Sequence, residues 1–316
     1  MTRAANELKR VVVLQGGISA EREVSFLSGR GVVEALRSKG LEVETWDPAC
    51  DAVGFLEEGR FDAAFIALHG KLGEDGSVQG LLNCLGIPYT GPGVTASAVA
   101  MDKELTKTLW RAAGLPVPEG ERVVAGASDE ELARLIARYG ASGLVVKPDH
   151  DGSSIGVTKL QKDDVTVESL RAALDAAQRG GADTALVEEY VHGREFTIAL
   201  IDGKALPVIE IIAPEGSYDF QNKYYTDVVR YECPAALDEA PAKHLAAICE
   251  KAFAVLGCRG WSRVDALQRP DGSFVLLEIN TAPGMTPHSL VPMAARAVDL
   301  DYASLCMKLL GLAETD

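Results

Sequence analysis

The stretch WSRVDALQRPDGSFVLLEIN, residues 261–280, carries two strand-like runs on either side of Asp271-Gly272. Asp-Gly between such runs is a strong short-range hairpin signal. If the turn has two central residues, Asp265 faces Glu278 and Arg263 faces Asn280, and all four share one face of the ladder. Directly opposed carboxylates repel, and the neighbouring Trp261, Val264, Leu276, Leu277 and Ile279 imply partial burial. Positive charge is therefore expected between the two acids. Asp265, Glu278 and Asn280 offer only oxygen donors, as Mg²⁺ prefers, with positions left over for water or phosphate. A pair of solvated surface acids is the plainer alternative.

Upstream, residues 195–201 and 205–212 flank Asp202-Gly203 and predict a second hairpin. The same pairing rule sets Glu195 against Glu210, but Pro207 interrupts that ladder, so no metal is inferred there. Between the hairpins, residues 214–234 are rich in Gly, Tyr, Asp and Asn and lack apolar periodicity. A loop of that length is usually functional or disordered.

The first third reads differently. Residues 10–15 form a β-branched run, Val24, Leu27, Gly31 and Ala35 share a helical face that ends near Gly40, and 41–46 and 61–68 read as further strands. A helix over 77–85 follows, so this is a βαβ pattern with a parallel sheet. The segment 86–93, with Pro88 and Pro92 among glycines, breaks regular structure and marks a first boundary. A helix is predicted over 102–113. Strands over 144–148 and 155–159 and a helix near 167–178 give the middle region an α+β character. The resulting organisation is an N-terminal α/β unit (1–93), a central unit (94–186) and a C-terminal unit (187–316).

Lys147 precedes the loop Asp149-His150-Asp151-Gly152-Ser153-Ser154, and Lys103 opens a helix. Backbone N–H groups and hydroxyls of such a loop can cradle anionic oxygens, with the lysines as point charges. Either lysine alone reads as a solubilising surface residue. Residues 16–20, Gly-Gly-Ile-Ser-Ala, lack the GxGxxG spacing and no GxxxxGK[ST] occurs, which disfavours a Rossmann dehydrogenase and a P-loop enzyme. Gly16-Gly17 still leads into a helix N-terminus where a small anion could sit.

With 46 acidic and 31 basic residues the net charge is −15, which disfavours nucleic acid and anionic membrane surfaces as partners. No apolar run nears the roughly 18 residues of a membrane span, and Val11 to Leu14 is too short for a signal-peptide core. A cytoplasmic protein acting on small molecules is expected. The six cysteines form no CxxC or zinc-site spacing and read as buried thiols, and no HExxH occurs.

Taken together, His69-Gly70 with Gly73-Glu74-Asp75-Gly76, the run Ser19 to Ser25, Gly260-Trp261-Ser262-Arg263-Val264-Asp265 and the run Glu278 to Thr286 closely resemble the D-alanine:D-alanine ligases of the ATP-grasp superfamily. The resemblance runs from about Val11 to the final helix. It implies an ATP-grasp fold with a preceding N-terminal α/β unit, and ATP-driven joining of two D-alanines through an acyl phosphate, for peptidoglycan synthesis. By the match, Asp265, Glu278 and Asn280 hold one or two Mg²⁺, with Mn²⁺ a possible substitute. Lys103, Lys147, Ser154 and Lys223 hold ATP phosphates, Glu188 and Glu195 face adenine and ribose, and Tyr190-Val191 form the adenine hinge, although Glu189 stands where some members place lysine.

Arg263 and the Gly284 N–H stabilise the oxyanion. Glu21, with Val24 and His69 nearby, takes the first substrate's ammonium, and Ser289 with Leu290 takes the second substrate. Ser153 and Tyr224, the latter in the long mobile loop, are expected to hydrogen-bond to Glu21 and close the lid. A homodimer is implied by the family alone. A D-alanine:D-lactate or D-alanine:D-serine ligase and a non-catalytic ATP-grasp binder are the alternative readings; relatives that accept D-lactate lack a tyrosine at the position of Tyr224.

Overall fold

The computed structural model describes residues 8–149, 156–178, 183–213 and 229–316. Three sheets organise them. In the first, β1 (Arg10–Leu14) runs between β2 (Glu42–Trp46) and β3 (Ala63–Ile66), all parallel. β1 and β3 are near-continuous apolar runs because both of their faces are covered, whereas β2 buries only Val43 and Trp46. The crossover helix α1 (Arg22–Ser38) ends at Lys39, with Gly40 at φ +88° closing the turn. Its buried stripe includes Val24, Ser25, Ser28, Val32 and Leu36, whereas Leu27, expected on the inner face, is 54% exposed. Two serines occupy inner positions because their hydroxyls are needed there. Ser25 Oγ donates to Ala67 O (2.7 Å) and accepts from Gly16 N (2.8 Å).

After α2 (Ser77–Cys84), residues 86–93 do not merely break structure: Tyr89 is fully buried and bridges Ala64 on one side and Glu314 on the other. The single helix expected over 102–113 is preceded by another. Helix α3 (Val94–Met101) carries no charged residue and its two hydroxyls, Thr95 and Ser97, lie on different sides, so it shows no period, and α4 (Lys103–Ala112) follows it directly. Asp102, in extended conformation, ends the first and caps the second by accepting from Leu105 N (2.8 Å).

The second sheet has the order β4 (Gly120–Val124), β7 (Thr184–Glu189), β5 (Gly143–Pro148), β6 (Thr158–Gln161), all antiparallel, backed by α5 (Asp129–Tyr139) and α6 (Val167–Ala177). The third runs β11 (Arg230–Glu232), β10 (Ile209–Ile212), β8 (Arg194–Ile201), β12 (Trp261–Gln268), β13 (Phe274–Asn280), with β9 (Lys204–Ala205) on β8. On one face it packs against α3, α4 and α7 (Glu239–Val255). On the other it shares a core with the first sheet, α8 (Leu290–Arg296) and α9 (Tyr302–Gly311). Phe65 and Trp261 meet across that junction with ring centres 6.2 Å apart.

Glu195 does not face Glu210. Past Pro207 the register slips by one, so that Glu195 pairs with Ile211 and Glu210 with Phe196, and Glu210 is held instead by the Arg194 fork at 2.8 and 2.6 Å. The cysteines also differ from expectation: Cys249 and Cys306 are buried, but Cys50 and Cys84 are exposed.

Trp110 locks α4 onto the rest. It is fully buried among Leu115, Phe253 and their neighbours, and its Nε1 donates to Ala252 O at 3.0 Å. Trp110→Ala is expected to cost roughly 3–5 kcal/mol through the cavity and the orphaned carbonyl, read as a lower urea midpoint at unchanged slope.

Candidate active site

The hairpin of residues 261–280 brings Asp265 opposite Glu278 and Arg263 opposite Asn280, as the two-residue turn predicts, but by a different route. The ladder next to the turn pairs Gln268 with Phe274, leaving an odd, five-residue connection. Arg269 N donates to Ser273 O (2.8 Å) and Gly272 N to Arg269 O (2.9 Å). The register then shifts between Asp265 and Ala266, where Leu277 is the extra residue of a β-bulge. The two offsets cancel.

Positive charge does sit beside these acids. Asp265 is 7% exposed and its Oδ1 accepts from Thr197 Oγ1 (2.6 Å) and Arg263 Nε (2.9 Å). Its Oδ2 accepts from Arg263 Nη2 (2.8 Å) and Asn280 Nδ2 (3.2 Å). Glu278 lies 3.8 Å from Lys103 Nζ. Among the described residues no three acids, histidines or cysteines gather as a metal cluster, so a cation here needs Asn280 as its third side-chain donor. The set is all oxygen and suits a hard divalent ion. Because four donors already fill the lone-pair directions of Asp265, such an ion takes the place of one of them.

A cavity of about 640 Å³ opens between the second and third sheets. It is lined by Lys103, Lys147, Glu188, Glu195, Asp265 and Glu278, together with Tyr190, Val191 and an apolar wall that includes Val145, Leu267 and Leu277. Apolar walls with a few converging polar groups are what a small-molecule site requires. Of the residues expected around ATP, the cavity gathers every one the structure describes; Ser153, Ser154, Lys223 and Tyr224 lie outside the described residues. Lys103 and Lys147, each 9% exposed, are not solubilising surface groups. Glu189 is paired with Arg269 at 2.5 and 3.3 Å.

The loop in question begins at Asp149. Arg122 of β4 contacts both Asp149 and the α4 cap Asp102, and Asp149 O and Oδ1 accept from Lys103 N (3.2 Å) and Glu104 N (3.3 Å). The start of the loop is thus tied to the N-terminus of α4.

At the other end of β13, residues 282–285 are stitched to the first sheet. His69 is buried, and burial lowers its pKa against the pull of Glu21, so the imidazole is neutral at pH 7. A carbonyl can only accept, so Nδ1–H donates to Ala282 O (2.8 Å). Nε2 then accepts from Ser28 Oγ (3.2 Å), which in turn accepts from Met285 N (3.0 Å). Glu74 completes the clasp, its two oxygens accepting from Gly70 N (2.7 Å) and Ala282 N (3.2 Å). Gly284 lies inside this clasp, where a Cβ would come within 3.1 Å of Ser289 Oγ. Glu21 stands at the start of α1, its Oε2 close to Gly70, and Val24 and Leu290 are buried beside it and Ser289 respectively. Ser289 Oγ accepts from Thr286 N at 3.0 Å.

The family model described as D-ala D-ala ligase C-terminus matches residues 109–311, and the one described as D-ala D-ala ligase N-terminus matches residues 48–92. The chain belongs to the D-ala D-ala ligase family. A D-alanine–D-alanine ligase of Bordetella avium is 49% identical over 306 residues, 96% of this chain and 94% of that protein. Among solved structures, the D-alanine–D-alanine ligase of Bacillus anthracis complexed with ATP is 28% identical with a TM-score of 0.81, covering 96% of this chain and 97% of that one. The VanG D-Ala:D-Ser ligase of Enterococcus faecalis is likewise 28% identical, with a TM-score of 0.83 over 97% and 99% of the two chains. These neighbours establish the ATP-grasp fold for this family member.

Sequence reasoning assigned no role to Glu74 or to Lys107, whose ammonium is fully buried against Glu188. The available signal was an acid at a fixed distance from His69, and two lysines four apart on one helix face. In this ligase-family chain, burial and the nearby Glu21 push Glu74 up to about 7, opposed by its two backbone donors. The native carboxyl holds its proton up to about 7 and the unfolded one only to about 4.5, so native stability drops as pH rises between those values. Glu74→Gln removes that slope. Urea titrations at stepped pH should show wild type losing roughly 3 kcal/mol relative to the variant across this window.

Proposed function

We propose that this chain is an ATP-dependent D-alanine–D-alanine ligase, which joins two D-alanines for peptidoglycan precursor synthesis. The observation that carries the reading is the floor of the cavity, where Asp265 and Glu278 face each other within reach of Lys103 and Lys147, in a chain with near-full-length relatives of that name.

The first step moves the γ-phosphoryl of ATP onto the carboxylate of one D-alanine, breaking the bond to ADP and forming an acyl phosphate. Phosphate and carboxylate repel, so the protein's task is positioning and neutralisation. Lys103 and Lys147, with Ser154 and Lys223, are assigned to the phosphates. Tyr190 and Val191 are assigned to the adenine hinge, with Glu188 and Glu195 on adenine and ribose. Asp265, Glu278 and Asn280 would hold Mg²⁺, which supplies charge neutralisation at the transferring phosphoryl.

In the second step the amine of the other D-alanine attacks the acyl carbon, phosphate leaves, and the ammonium proton is released. The tetrahedral oxyanion is assigned to Arg263 and to Gly284 N–H, preorganised by the clasp of His69 and Glu74. Glu21 is assigned to the first ammonium, with Ser153 and Tyr224 closing over it, and Ser289 to the second carboxylate. The likeness to a D-Ala:D-Ser ligase makes D-serine the second acceptor to test.

Purified protein with ATP and Mg²⁺ should release phosphate when D-alanine is added and form D-alanyl-D-alanine in equal amount. Absence of D-alanine-dependent release would overturn the reading, and a D-serine- or D-lactate-containing product formed in preference would redirect it. Glu278→Gln should lower turnover by about 10³-fold or more while leaving the melting temperature nearly unchanged, because the side chain is only half-buried and keeps its shape. Wild-type turnover in that variant would remove the metal assignment.

A further inference from the structure

Glu188 sits at the back of the cavity with one lysine on each carboxylate oxygen: Lys107 Nζ contacts Oε1, and Lys147 Nζ lies 2.7 Å from Oε2. The two lysines differ in what else they can reach. Lys147, at the end of β5, lines the cavity. Lys107 has no exposed surface and projects from the inner face of α4, one turn behind Lys103. It meets no ligand.

We propose that Lys107 is the resident counter-charge of Glu188, a positioning residue that keeps this carboxylate ionised and in place when Lys147 turns toward a nucleotide's phosphates. The proposal rests on the nucleotide reading of the cavity. One carboxylate needs one ammonium, and the second is surplus until an anion arrives. Without Lys107, any movement of Lys147 would strand a buried carboxylate with no partner, which is strongly unfavourable, so Lys147 would stay on Glu188 and be lost to the phosphates. Lys107 cannot be drawn off in the same way, because it is packed in the core with Trp110 one turn away. The charge balance agrees. Burial, reinforced by the neighbouring Lys147 and opposed by Glu188, pulls Lys107 down to about 7, and departure of Lys147 would relieve part of that. Glu188 itself stays below the ordinary carboxylate range because the two lysines outweigh its burial.

The test is binding of MgADP, which probes the site without chemistry, by calorimetry on the full chain. Lys107→Met keeps length and removes charge. It should weaken MgADP by about tenfold or more and leave the KM for D-alanine within about twofold, whereas adding the same change to Glu188→Gln should alter affinity by less than about twofold, since no carboxylate remains to hold. MgADP affinity in Lys107→Met equal to wild type would overturn the proposal. So would an equal loss in the Glu188→Gln background, which marks general damage. If the single variant fails to fold, the comparison of Glu188→Gln with Glu188→Gln/Lys107→Met decides alone: equal affinities support the proposal and unequal ones refute it. A wild-type chain that binds no MgADP refutes instead the nucleotide reading.

Discussion

Two carboxylates face each other across the last two strands of the third sheet, Asp265 on β12 and Glu278 on the edge strand β13, and the surrounding structure is organised by the need to neutralise them. Asp265 is met by the Arg263 guanidinium, the Thr197 hydroxyl and the Asn280 amide, and Glu278 by Lys103. Lys103 is available only because Asp102 and Asp149 fix the start of α4, and Trp110 holds that helix against α7. Arg122 bridges Asp102 and Asp149 and so joins the second sheet to the same support. Acids brought this close in low dielectric are tolerable only with charge arranged around them in advance, and that charge is what a polyphosphate ligand needs.

In the proposed reaction the same hairpin would serve both halves because of its direction. Its acids look into the cavity between the second and third sheets, and the chain leaving β13 enters the clasp of His69, Ser28 and Glu74. The groups proposed for phosphoryl transfer and for the oxyanion therefore lie a few residues apart on one strand and its exit. The clasp spans units distant in sequence: His69 and Ala282 are 213 positions apart. The N-terminal unit fixes this backbone through His69 and Glu74, and it carries Glu21, proposed for the first ammonium, at the start of α1. A buried neutral imidazole and a doubly engaged carboxyl group do this with little freedom to move, which suits the oxyanion stabilisation proposed for Gly284.

Much of this was legible one residue at a time. Aliphatic strands of the first sheet, the Asp-Gly connections and the four motif runs were readable because their signals are local. Leu27 and α3 misled for one reason: periodicity reports a face only when the opposite face is polar, and neither Val94–Met101 nor the serine-bearing inner side of α1 obeys that. The facing of Asp265 and Glu278 was reached from a two-residue turn that the chain does not have. A longer connection and the bulge at Leu277 restore the parity, and a rule based on turn type cannot see a bulge further along the ladder. At Pro207 no such compensation occurs, and the predicted facing of Glu195 and Glu210 fails.

The order of residues alone determined the class of fold, the family and the acidic hairpin, because these depend on side-chain chemistry and short-range spacing. Only the tertiary structure decided which charge answers which: Arg263 on Asp265, Lys103 on Glu278, two lysines on Glu188, and Glu74 with His69 on the backbone of Ala282. Those pairings join strands and helices tens to hundreds of residues apart. They are chosen by burial, which makes an unpaired charge costly enough to select its partner, and burial is a property of the packed chain.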